Sequence, residues 1–390
     1  MTSLTSSDLQ PADLVNQAAE RLPDILADIE RVITLETPSS DKNAVAAGAR
    51  DFAALLKDRL GAEAELLEVE GTTHLRLRFG TGPTRVVLLN HQDTVWPHGT
   101  LERIPFSTDD GILRGPGSFD MLTGAIMSVH ATAILRDRLG DGALAGLSIL
   151  VTGDEEIGSL TSSDLIRAEA ADAGAVFVME ASAGGALKLE RKGTSNYVLI
   201  FSGKASHAGL EPEKGINAGM ALALTLPLVA DLADAEAGTT VVPTVISAGT
   251  TSNTVPAEAR VDIDVRARTA AELERVDAQI RELAKNPQVE GSTTEVLGGI
   301  NRPPFEREQS AALFDRARAL ADELELPVPE GVSVGGASDG NFTAGDGIPT
   351  LDGLGAVGDG AHAEHEHAVI AEIAPRTALL AALIADQLKG

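Results

Sequence analysis

Two residues with metal-ligand chemistry stand directly after an apolar, β-rich run near residue 90. The run Val86–Leu89 continues into the sequence NHQD, which contains His91 and Asp93. On an extended chain these two side chains point to the same side, so the carboxylate can hold one ring nitrogen while the other nitrogen binds a metal ion. A histidine and an aspartate that cap an ordinary turn would give the same pattern, and the pair alone does not separate these alternatives.

Carboxylates follow two further segments. A Gly/Pro-rich loop at 114–119 delivers Asp120 immediately before a predicted helix, where the carboxylate could bind metal or cap the helix. The apolar run Leu147–Thr152 ends in Gly-Asp-Glu-Glu, so Glu155 and Glu156 can be aimed in different directions, one at a metal ion and its neighbour at a metal-bound water. A solvated acidic turn is the alternative for these two residues.

Glu180 and His362 complete the set of candidates. Glu180 comes directly after the run Ala175–Met179, and His362 lies in GAHAEHEH after small residues, which is why it is preferred over His365 and His367. Open α/β sheets bind their ligands at the carboxyl ends of strands. The convergence of such residues on strand ends therefore predicts a metal site more specifically than any single motif does.

The composition limits the partners and the metal chemistry. The 390 residues carry 31 basic and 58 acidic side chains, a net charge of −27, without the clusters of Lys and Arg that nucleic acid or an anionic membrane requires. We expect neither partner. Because the chain has no cysteine, disulfides, thiolate nucleophiles and cysteine zinc sites are excluded, and any metal must be bound by histidine and carboxylate.

The elements that must position these residues alternate between helices and short strands. Helical spacing predicts helices over 11–35, 47–60, 121–138, 161–171, 308–324 and 370–388, and β-rich runs predict strands over 85–89, 147–152 and 175–179. This rhythm predicts an α/β domain with a mostly parallel sheet. Strands over 197–202, 241–247, 255–266 and 292–296, with helices over 216–233 and 270–285, form a β-α-β-β-α-β set of the ferredoxin-like kind.

The simplest domain organisation is a discontinuous α/β domain, residues 1–192 plus 304–390, with a ferredoxin-like α+β domain inserted at 193–303. The segment MTSLTSSDLQPADLV lacks the basic and apolar regions of a signal peptide, and Pro227 interrupts the apolar run 221–229. We therefore expect no signal peptide, no membrane span and a cytoplasmic location.

Together, these segments resemble the di-zinc amidohydrolases, a family that comprises glutamate carboxypeptidase, acetylornithine deacetylase, succinyl-diaminopimelate desuccinylase and aminoacylases. The matching segments, in family order and with family spacing, are HQDTV at 91–95, RGPGSFDM at 114–121, DEEIG at 154–158, EAS at 180–182, GKASHAG at 203–209 and GAH at 360–362. The segment TVWP at 94–97 and those of the inserted domain resemble the glutamate carboxypeptidase branch most closely. The resemblance implies a catalytic domain with an inserted lid and dimerisation domain.

The resemblance also implies a ligand set of two zinc ions, for which Co²⁺ or Mn²⁺ could substitute. Asp120 would bridge the ions, with His91 and Glu180 on one ion and Glu156 and His362 on the other. A glutamate at position 180 goes with carboxypeptidases and deacylases rather than aminopeptidases, which implies a free carboxylate on the leaving group.

Two further roles follow from the resemblance. Asp93 would orient His91, and Glu155 would be the general base, which takes a proton from the zinc-bridging water, leaves a hydroxide to attack the amide carbonyl, and passes the proton to the departing amine.

In the inserted domain, the resemblance implies a homodimer in which His207 reaches into the partner's active site and stabilises the oxyanion. A turn histidine is the alternative. Arg266 and Asn253 would grip the terminal carboxylate of the substrate, and Arg302 and Lys192 are further candidates for binding a glutamate-like side chain. On its strand, Arg266 shares a face with two aspartates, so a solvent-exposed ion pair is the alternative.

The expected function is metal-dependent hydrolysis of the amide bond of a peptide or an N-acyl amino acid with a free C-terminal carboxylate, as in glutamate carboxypeptidase. The alternative within the family is an N-acyl-amino-acid deacylase of the aminoacylase, acetylornithine deacetylase or desuccinylase type. A metal-binding protein without catalysis would not need Glu155. A serine hydrolase would need a G-x-S-x-G segment at the end of a buried strand, which the sequence lacks.

Two positions depart from the family pattern. After Asp120 the family has Met-Lys-Gly-Gly, whereas this chain has Met121-Leu122-Thr123-Gly124, which removes a positive charge. The acid that follows the last family histidine aligns with Glu366 or is displaced by His367.

Overall fold

The structure, a computed structural model, describes residues 11–389, which divide into two units. Unit 1 contains the described residues as far as Glu190, then Arg307–Val334 and those from Ser338 onward; unit 2 contains Arg191–Glu306 and Gly335–Ala337. The predicted domain boundaries lie within a few residues of the two main crossings between the units. The first ten residues, on which part of the signal-peptide prediction rests, lie outside the described residues.

The helices and strands follow the predicted alternation. The helices are α1 (Pro11–Glu20), α2 (Leu22–Ile33), α3 (Lys42–Leu60), α4 (Thr123–Leu139), α5 (Ser163–Ala170), α6 (Ala218–Ala230), α7 (Ala270–Lys285), α8 (Arg307–Glu323), α9 (Gly340–Gly345) and α10 (Ile370–Lys389). The strands are β1 (Glu65–Val69), β2 (Thr72–Arg78), β3 (Val86–His91), β4 (Ile112–Arg114), β5 (Leu147–Thr152), β6 (Ala175–Val178), β7 (Leu187–Arg191), β8 (Gly193–Ser202), β9 (Thr240–Ala248), β10 (Glu258–Ala267), β11 (Thr293–Arg302), β12 (Gly331–Val334), β13 (Thr350–Leu351), β14 (Gly358–Asp359) and β15 (His367–Val369).

The main sheet of unit 1 has six strands in the order β1-β2-β5-β3-β6-β13. Strands β5, β3, β6 and β13 are parallel to their neighbours, whereas β1 pairs with β2, and β2 with β5, in the antiparallel sense. The predicted α/β class is confirmed. The antiparallel hairpin β1–β2, which we did not predict from the sequence, makes the sheet mixed.

Helices cover both faces of this sheet. On strand β3, Val86 and Leu88 belong to the large apolar core that includes residues of α2, α4 and α10, while Val87 and Leu89 belong to a smaller core shared with α5 and α9. Such two-sided burial explains why β3 and β5 are continuous apolar runs without alternation.

The first predicted helix, residues 11–35, is in fact two helices, α1 and α2, which are separated at Arg21. Pro23 lies in the first turn of α2, where its missing N–H costs no helical hydrogen bond. The apolar periodicity continues across this break because both helices pack on the same core, which is why the pattern alone predicted one helix.

Unit 2 is built on a four-stranded antiparallel sheet in the order β11-β8-β10-β9. Its sequence order, β8-α6-β9-β10-α7-β11, is the predicted ferredoxin-like arrangement. Alternate residues of β8 and β10, among them Tyr197, Leu199 and Val261, form a core with α6 and α7. The other face of the sheet carries the polar residues of the same strands.

One helical segment of the described residues, Ser118–Leu139, is long and apolar enough to cross a membrane. The most apolar 18-residue window of this segment is 94% buried, and many of its residues belong to the main core of unit 1. The length and apolar composition of this segment are therefore explained by its position in the core of unit 1.

Candidate metal centre

The carboxyl ends of three parallel strands carry three residues of the candidate site. His91 is the last residue of β3 and pairs in register with Thr152, the last residue of β5. Glu155 begins the turn that follows β5, and Glu180 stands two residues after β6. Because β5, β3 and β6 are adjacent, these side chains meet at one edge of the sheet.

The carboxylate of Asp120 lies between two histidines. Its Oδ1 is 3.4 Å from His91 Nε2, and its Oδ2 is 3.4 Å from His362 Nε2. A glutamate accompanies each histidine: Glu180 Oε1 is 3.6 Å from His91 Nε2, and Glu156 Oε2 is 3.1 Å from His362 Nε2. The five predicted ligands thus form two groups that share Asp120.

These separations fit metal coordination. Two ligand atoms that each lie about 2.1 Å from a tetrahedral ion are about 3.4 Å apart. The four distances around Asp120, 3.1–3.6 Å, scatter about that value. The donor set of imidazole nitrogens and carboxylate oxygens suits zinc and other divalent ions of similar hardness.

Buried polar atoms in this cluster lack hydrogen-bond partners among the described residues. They are Nε2 of His91, whose side chain is 1% exposed, and Oε1 of Glu156. The other ring nitrogen of His91, Nδ1, lies 2.9 Å from the backbone carbonyl of Asp93. A carbonyl can only accept, so the neutral ring carries its proton on Nδ1 and directs the lone pair of Nε2 at the carboxylates, as a metal ligand requires.

The charges of the cluster point the same way. Hydrogen bonds and charge interactions with Asp120 and Glu156 raise the pKa of His362 to about 10. Burial opposes the charged form of His91, but the carboxylates of Asp120, Asp93 and Glu180 outweigh it and raise the pKa of His91 well above its ordinary value. For Glu156, burial disfavours the ionised carboxylate and so raises its pKa, and the nearby charge of Asp120 raises this pKa further. The negative potential that attracts protons to these rings also attracts divalent cations.

Asp93 is placed differently from the prediction. Its carboxylate Oδ1 is 3.5 Å from His91 Nδ1, so the nearer contact of the ring is the Asp93 carbonyl. The carboxylate instead accepts hydrogen bonds from the hydroxyl of Ser39 at 2.6 Å and from the backbone N–H groups of Glu155 at 3.1 Å and Glu156 at 3.2 Å. Asp93 therefore fixes the turn that carries both glutamates, and it contacts His91 mainly through its backbone.

Glu155 lies beside the cluster. It is 8% exposed, and one of its carboxylate oxygens is within 4.8 Å of the ligand atoms of His91 and Glu180. Its backbone N–H donates to Asp93. The preceding residue, Asp154, is held by buried hydrogen bonds, since it accepts from the Thr161 N–H at 2.7 Å and from the Ser162 hydroxyl at 2.5 Å.

Glu180 is positioned by close backbone packing. A Cβ atom at Gly124 would lie 2.0 Å from the carbonyl oxygen of Met179, and one at Gly355 would lie 2.1 Å from the same atom, so both positions require glycine. The N–H of Gly355 also donates to the Glu180 carbonyl at 2.9 Å.

Leu122, which stands where the family pattern has lysine, is buried in the apolar core. That environment would not suit a lysine.

Glu366 is one of the two alternatives for the acid that follows the last family histidine, and its side chain is buried against the loop that leads to Asp120. Its carboxylate accepts four hydrogen bonds, from the indole of Trp96 and from three backbone N–H groups of the loop that ends at Asp120. Burial raises the pKa of Glu366, and the same hydrogen bonds oppose that effect. Glu366 is 1% exposed, whereas the other alternative, His367, is half-buried.

Three histidines outside the predicted site have structural surroundings. His74 and His130 are fully buried and contact Thr161 and Asp28, respectively, while His98 is exposed and contacts Asp41. Ser39, by contrast, contacts the site through Asp93 and was missed, because nothing in the segment TPSSD distinguishes a serine that will bond a distant carboxylate.

The candidate residues of unit 2 stand apart from this cluster in the sequence and belong to a separate unit. His207 is exposed, and its Nδ1 accepts hydrogen bonds from the N–H groups of Gly209 at 3.1 Å and Leu210 at 3.2 Å, so the neutral ring carries its proton on Nε2. Asn253 is also exposed, and its backbone carbonyl accepts from the N–H of Ala208. The loops of His207 and Asn253 are thus paired.

The candidate cations of unit 2 lie at one end of its sheet. Arg266 on β10 and Arg302 on β11 are both paired with Thr194 of β8, and Lys192 precedes β8 by one residue. Burial lowers the pKa of Lys192, as do the nearby charges of Arg268 and Arg266. Arg266 also forms an ion pair, the alternative considered for it, with Nε 3.0 Å from Oδ1 of Asp264.

Sequence comparisons agree with this architecture. Residues 87–386 match the family described as Peptidase family M20/M25/M40. The chain is 30% identical over 382 residues to carboxypeptidase G2 of Pseudomonas sp. (strain RS-16), with 96% of this chain and 91% of that protein covered. It is 28% identical over 331 residues to succinyl-diaminopimelate desuccinylase of Methylorubrum populi, with 78% of this chain and 83% of that protein covered.

Solved structures share the fold at lower identity. Aminopeptidase PepT from Bacillus cereus ATCC 10987 has a TM-score of 0.74 at 22% identity, with 96% of this chain and 99% of that chain covered. The M20 family metallo-carboxypeptidase Sso-CP2 from Sulfolobus solfataricus has a TM-score of 0.72 at 15% identity, with 93% and 99% covered. The chain belongs to the M20/M25/M40 family of metal-dependent peptidases and is an enzyme that hydrolyses peptides or N-acyl amino acids.

Proposed function

We propose that this enzyme is a glutamate carboxypeptidase-like hydrolase, which cleaves an amide bond whose leaving amino acid carries a free carboxylate. The observation that carries the metal-dependent part is the position of Asp120 between His91 and His362, at 3.4 Å from each. The similarity to a carboxypeptidase over nearly the whole chain supports the substrate class.

Two zinc ions, with Co²⁺ or Mn²⁺ as substitutes, would be held by the two groups that share Asp120. His91 and Glu180 would bind one ion, and Glu156 and His362 the other. Ions bound there would polarise the amide carbonyl and lower the pKa of the attacking water. Metal analysis should find two ions per chain, none at either site after Asp120→Ala, and one ion after His362→Ala.

Glu155 would move the proton. One of its carboxylate oxygens lies within 4.8 Å of the ligand atoms of His91 and Glu180, and its backbone N–H donates to the Asp93 carboxylate. It would accept a proton from the attacking water and donate it to the nitrogen of the departing amine, so one carboxylate serves as base and then as acid.

The cations at the end of the unit 2 sheet would hold the substrate's carboxylates. On a protein of net charge −27, long-range attraction does not favour an anionic substrate, so local cations must bind it. Arg266 offers its planar guanidinium for the terminal carboxylate, and Lys192 and Arg302 would bind a second acidic group. Asn253 precedes the start of β10 whereas Arg266 stands near its end, so Asn253 would reach the same carboxylate only from the partner subunit, together with His207.

A homodimer formed through unit 2 is part of this proposal. Helix α6 buries one apolar face and exposes another, formed by Met220, Leu224 and Leu228 at four-residue spacing. The edge strand β9 exposes Val242 and Val245 as well. Exposed apolar residues on a helix and an edge strand favour association with a second copy. In that dimer, His207 would donate Nε2–H to the oxyanion in the partner's active site.

An N-acyl-amino-acid deacylase is the second candidate, and the similarity to succinyl-diaminopimelate desuccinylases favours it. It differs only in the acyl group that is removed, because the metal centre and Glu155 serve both reactions.

A substrate panel separates these possibilities. N-acyl amino acids and dipeptides are assayed with zinc or cobalt, each substrate both as the free acid and as its C-terminal amide. We expect cleavage of the free acids, most rapidly those with a glutamate leaving group, and no cleavage of the amides. Equal rates on acid and amide would contradict the carboxypeptidase proposal, and a preference set by the acyl group alone would favour the deacylase.

A further inference from the structure

The side chain of Glu366 is a buried carboxylate surrounded by hydrogen-bond donors. Its Oε1 accepts from the backbone N–H of Phe119 at 2.8 Å and of Asp120 at 3.1 Å. Its Oε2 accepts from Trp96 Nε1 at 2.7 Å and from the backbone N–H of Gly117 at 3.0 Å. Two donors therefore face each oxygen, and three of the four donors are backbone N–H groups of one loop.

These hydrogen bonds connect the segments that carry three of the candidate ligands. Glu366 stands four residues after His362, and its N–H donates to the carbonyl of Ala363 at 2.9 Å, which closes the turn between them. Three of the donors to its carboxylate come from the loop that ends at Asp120, and the fourth, Trp96, stands in the segment that follows His91. Strand β15, which begins after Glu366, pairs with β4, which leads into the Asp120 loop.

From this arrangement we propose that Glu366 is a positioning residue that sets the affinity of the metal centre, because it fixes the Asp120 carboxylate relative to His362. The inference rests on the proposed two-ion function and deepens it. Glu366 itself contacts neither a reacting atom nor the imidazole ring of His91 or His362. It acts through the backbone of the loop, in the way that partners of metal ligands set the orientation of those ligands.

Only an ionised or acceptor-only group fits this position. In Glu366→Gln, one oxygen becomes an NH₂ group, and whichever way the amide is turned, that NH₂ faces two N–H donors. Either Trp96 and Gly117 or Phe119 and Asp120 then lose their acceptor. Because the loop is buried, water cannot readily replace it, so the loop must shift and the bridging carboxylate shifts with it.

Glu169 provides a matched control. It is 3% exposed, and its carboxylate accepts hydrogen bonds from Arg78 at 2.7 Å, Arg76 at 3.2 Å and Thr84 at 3.2 Å, none of which belongs to the metal cluster. Glu169→Gln therefore removes the charge of a similarly buried carboxylate, whose donors are two arginines and a threonine. It should lower the melting temperature of the metal-free protein and leave metal affinity within about twofold.

The experiment measures the dissociation constants of zinc by competition with a chromophoric chelator, together with the melting temperature of the metal-free protein. For Glu366→Gln we expect affinity to fall by about 10- to 100-fold, the range typical for loss of a partner of a metal ligand. Trp96 is the only tryptophan of the chain, so its emission reports directly on this hydrogen bond and should shift in Glu366→Gln but not in Glu169→Gln.

Trp96→Phe is a second variant, which keeps the aromatic ring and removes one of the four donors. It should weaken zinc binding less than Glu366→Gln does, and Glu366→Asp should recover part of the affinity. If Glu366→Gln, or Trp96→Phe where Glu366→Gln does not fold, binds zinc as tightly as the unaltered protein, the inference is overturned while the proposed function stands. If the unaltered protein binds no divalent ion, the proposed function itself fails.

Discussion

The backbone N–H of Glu155 donates a hydrogen bond to Oδ1 of Asp93 at a distance of 3.1 Å. Asp93 follows the ligand His91 by two residues, whereas Glu155 stands at the end of the neighbouring strand β5. The second carboxylate oxygen accepts from Glu156 in the same way. A single buried side chain therefore sets the position of both the proposed general base and one proposed metal ligand.

Asp93→Asn should lower both turnover and metal affinity. The amide can accept from only one of the two glutamate N–H groups, because its NH₂ group must face the other, and the turn that carries both residues shifts. We expect a loss of about 10- to 100-fold in each quantity, measured as kcat and as the zinc dissociation constant. Ser39→Ala is the control, since it removes the hydroxyl donor and leaves both N–H bonds intact. A loss in Ser39→Ala as large as that in Asp93→Asn would contradict the role given to the turn.

Glu155→Gln and Glu156→Gln should separate proton transfer from metal binding. Glutamine at 155 retains the shape of the side chain but cannot accept the proton, so kcat should fall by about 10²- to 10⁴-fold with the metal content unchanged. Glutamine at 156 replaces a proposed ligand and should lower the metal content. Steady-state kinetics and metal analysis of the same preparations test both statements. If Glu155→Gln retained the turnover of the unaltered protein, another residue would be the general base, and Glu156 would be the first alternative.

Arg266 and Arg260 form a matched pair on strand β10. Both stand on the polar face, and each binds an aspartate through two nitrogens, Arg266 with Asp264 and Arg260 with Asp262. A charge-assisted hydrogen bond contributes about 1.5–3 kcal/mol, which corresponds to about a 10- to 150-fold change in kcat/KM. Arg266→Ala should cause such a loss on free-acid substrates without loss of metal, whereas Arg260→Ala should not. If both variants lowered kcat/KM by similar factors, Arg266 would have only the structural role of its ion pair and would not bind the substrate carboxylate.

The positions of three residues of the candidate site were predictable because parallel strands fix them. A residue directly after an apolar run in a βαβ pattern must emerge at the carboxyl edge of the sheet, and His91, Glu155 and Glu180 do so. Asp120 and His362 come from loops, and periodicity says nothing about where loops lead. Their place in the cluster was expected from the family resemblance and from their residue types.

The contacts that support the ligands were less predictable. Alternation of side chains along a strand places His91 and Asp93 on one side, but β3 ends at His91, and beyond it the carboxylate of Asp93 turns toward the Glu155 turn. Ser39 and Glu366 reach the site over long sequence separations, through hydrogen bonds that leave no local pattern. Tertiary contacts of this kind depend on how loops pack, which no window of sequence contains.

Acid should destabilise unit 1 through a buried cluster on α2, α3 and α4. Asp28 accepts hydrogen bonds from His130 at 2.8 Å and from Arg59 at 2.7 Å. Burial opposes ionisation, but His130 and Arg59 outweigh it and hold the pKa of Asp28 below its ordinary value of 3.8. Its contribution to stability is therefore present above pH 3.8 and is lost as the pH falls through the folded-state pKa.

Burial also lowers the pKa of His130 below its ordinary value of 6.5, so the loss of stability begins as the pH drops below 6.5. Asp28→Asn should lower the melting temperature at pH 7, and the gap from the unaltered protein should narrow toward pH 3. Asp24→Asn is the control, because Asp24 is exposed and lies 3.5 Å from the same arginine. A gap that stays constant from pH 7 to pH 3 would show that the ionised form of Asp28 does not stabilise the fold.

The last prediction concerns His207 and the proposed dimer. If His207 acts in the partner's active site, a His207→Ala protomer and a Glu155→Gln protomer together contain one complete site, formed by Glu155 of the first and His207 of the second. Statistical exchange gives heterodimers for about half of the dimers, each with one working site of two, so the mixture should recover about a quarter of the unaltered activity. His207→Ala mixed with the double variant His207→Ala/Glu155→Gln contains no complete site and serves as the control. Sedimentation measurements confirm the dimer and subunit exchange in both mixtures. If exchange is demonstrated and the first mixture is no more active than the control, His207 does not act in the partner's active site. Its role is then structural, within the turn where its Nδ1 accepts hydrogen bonds from two backbone N–H groups.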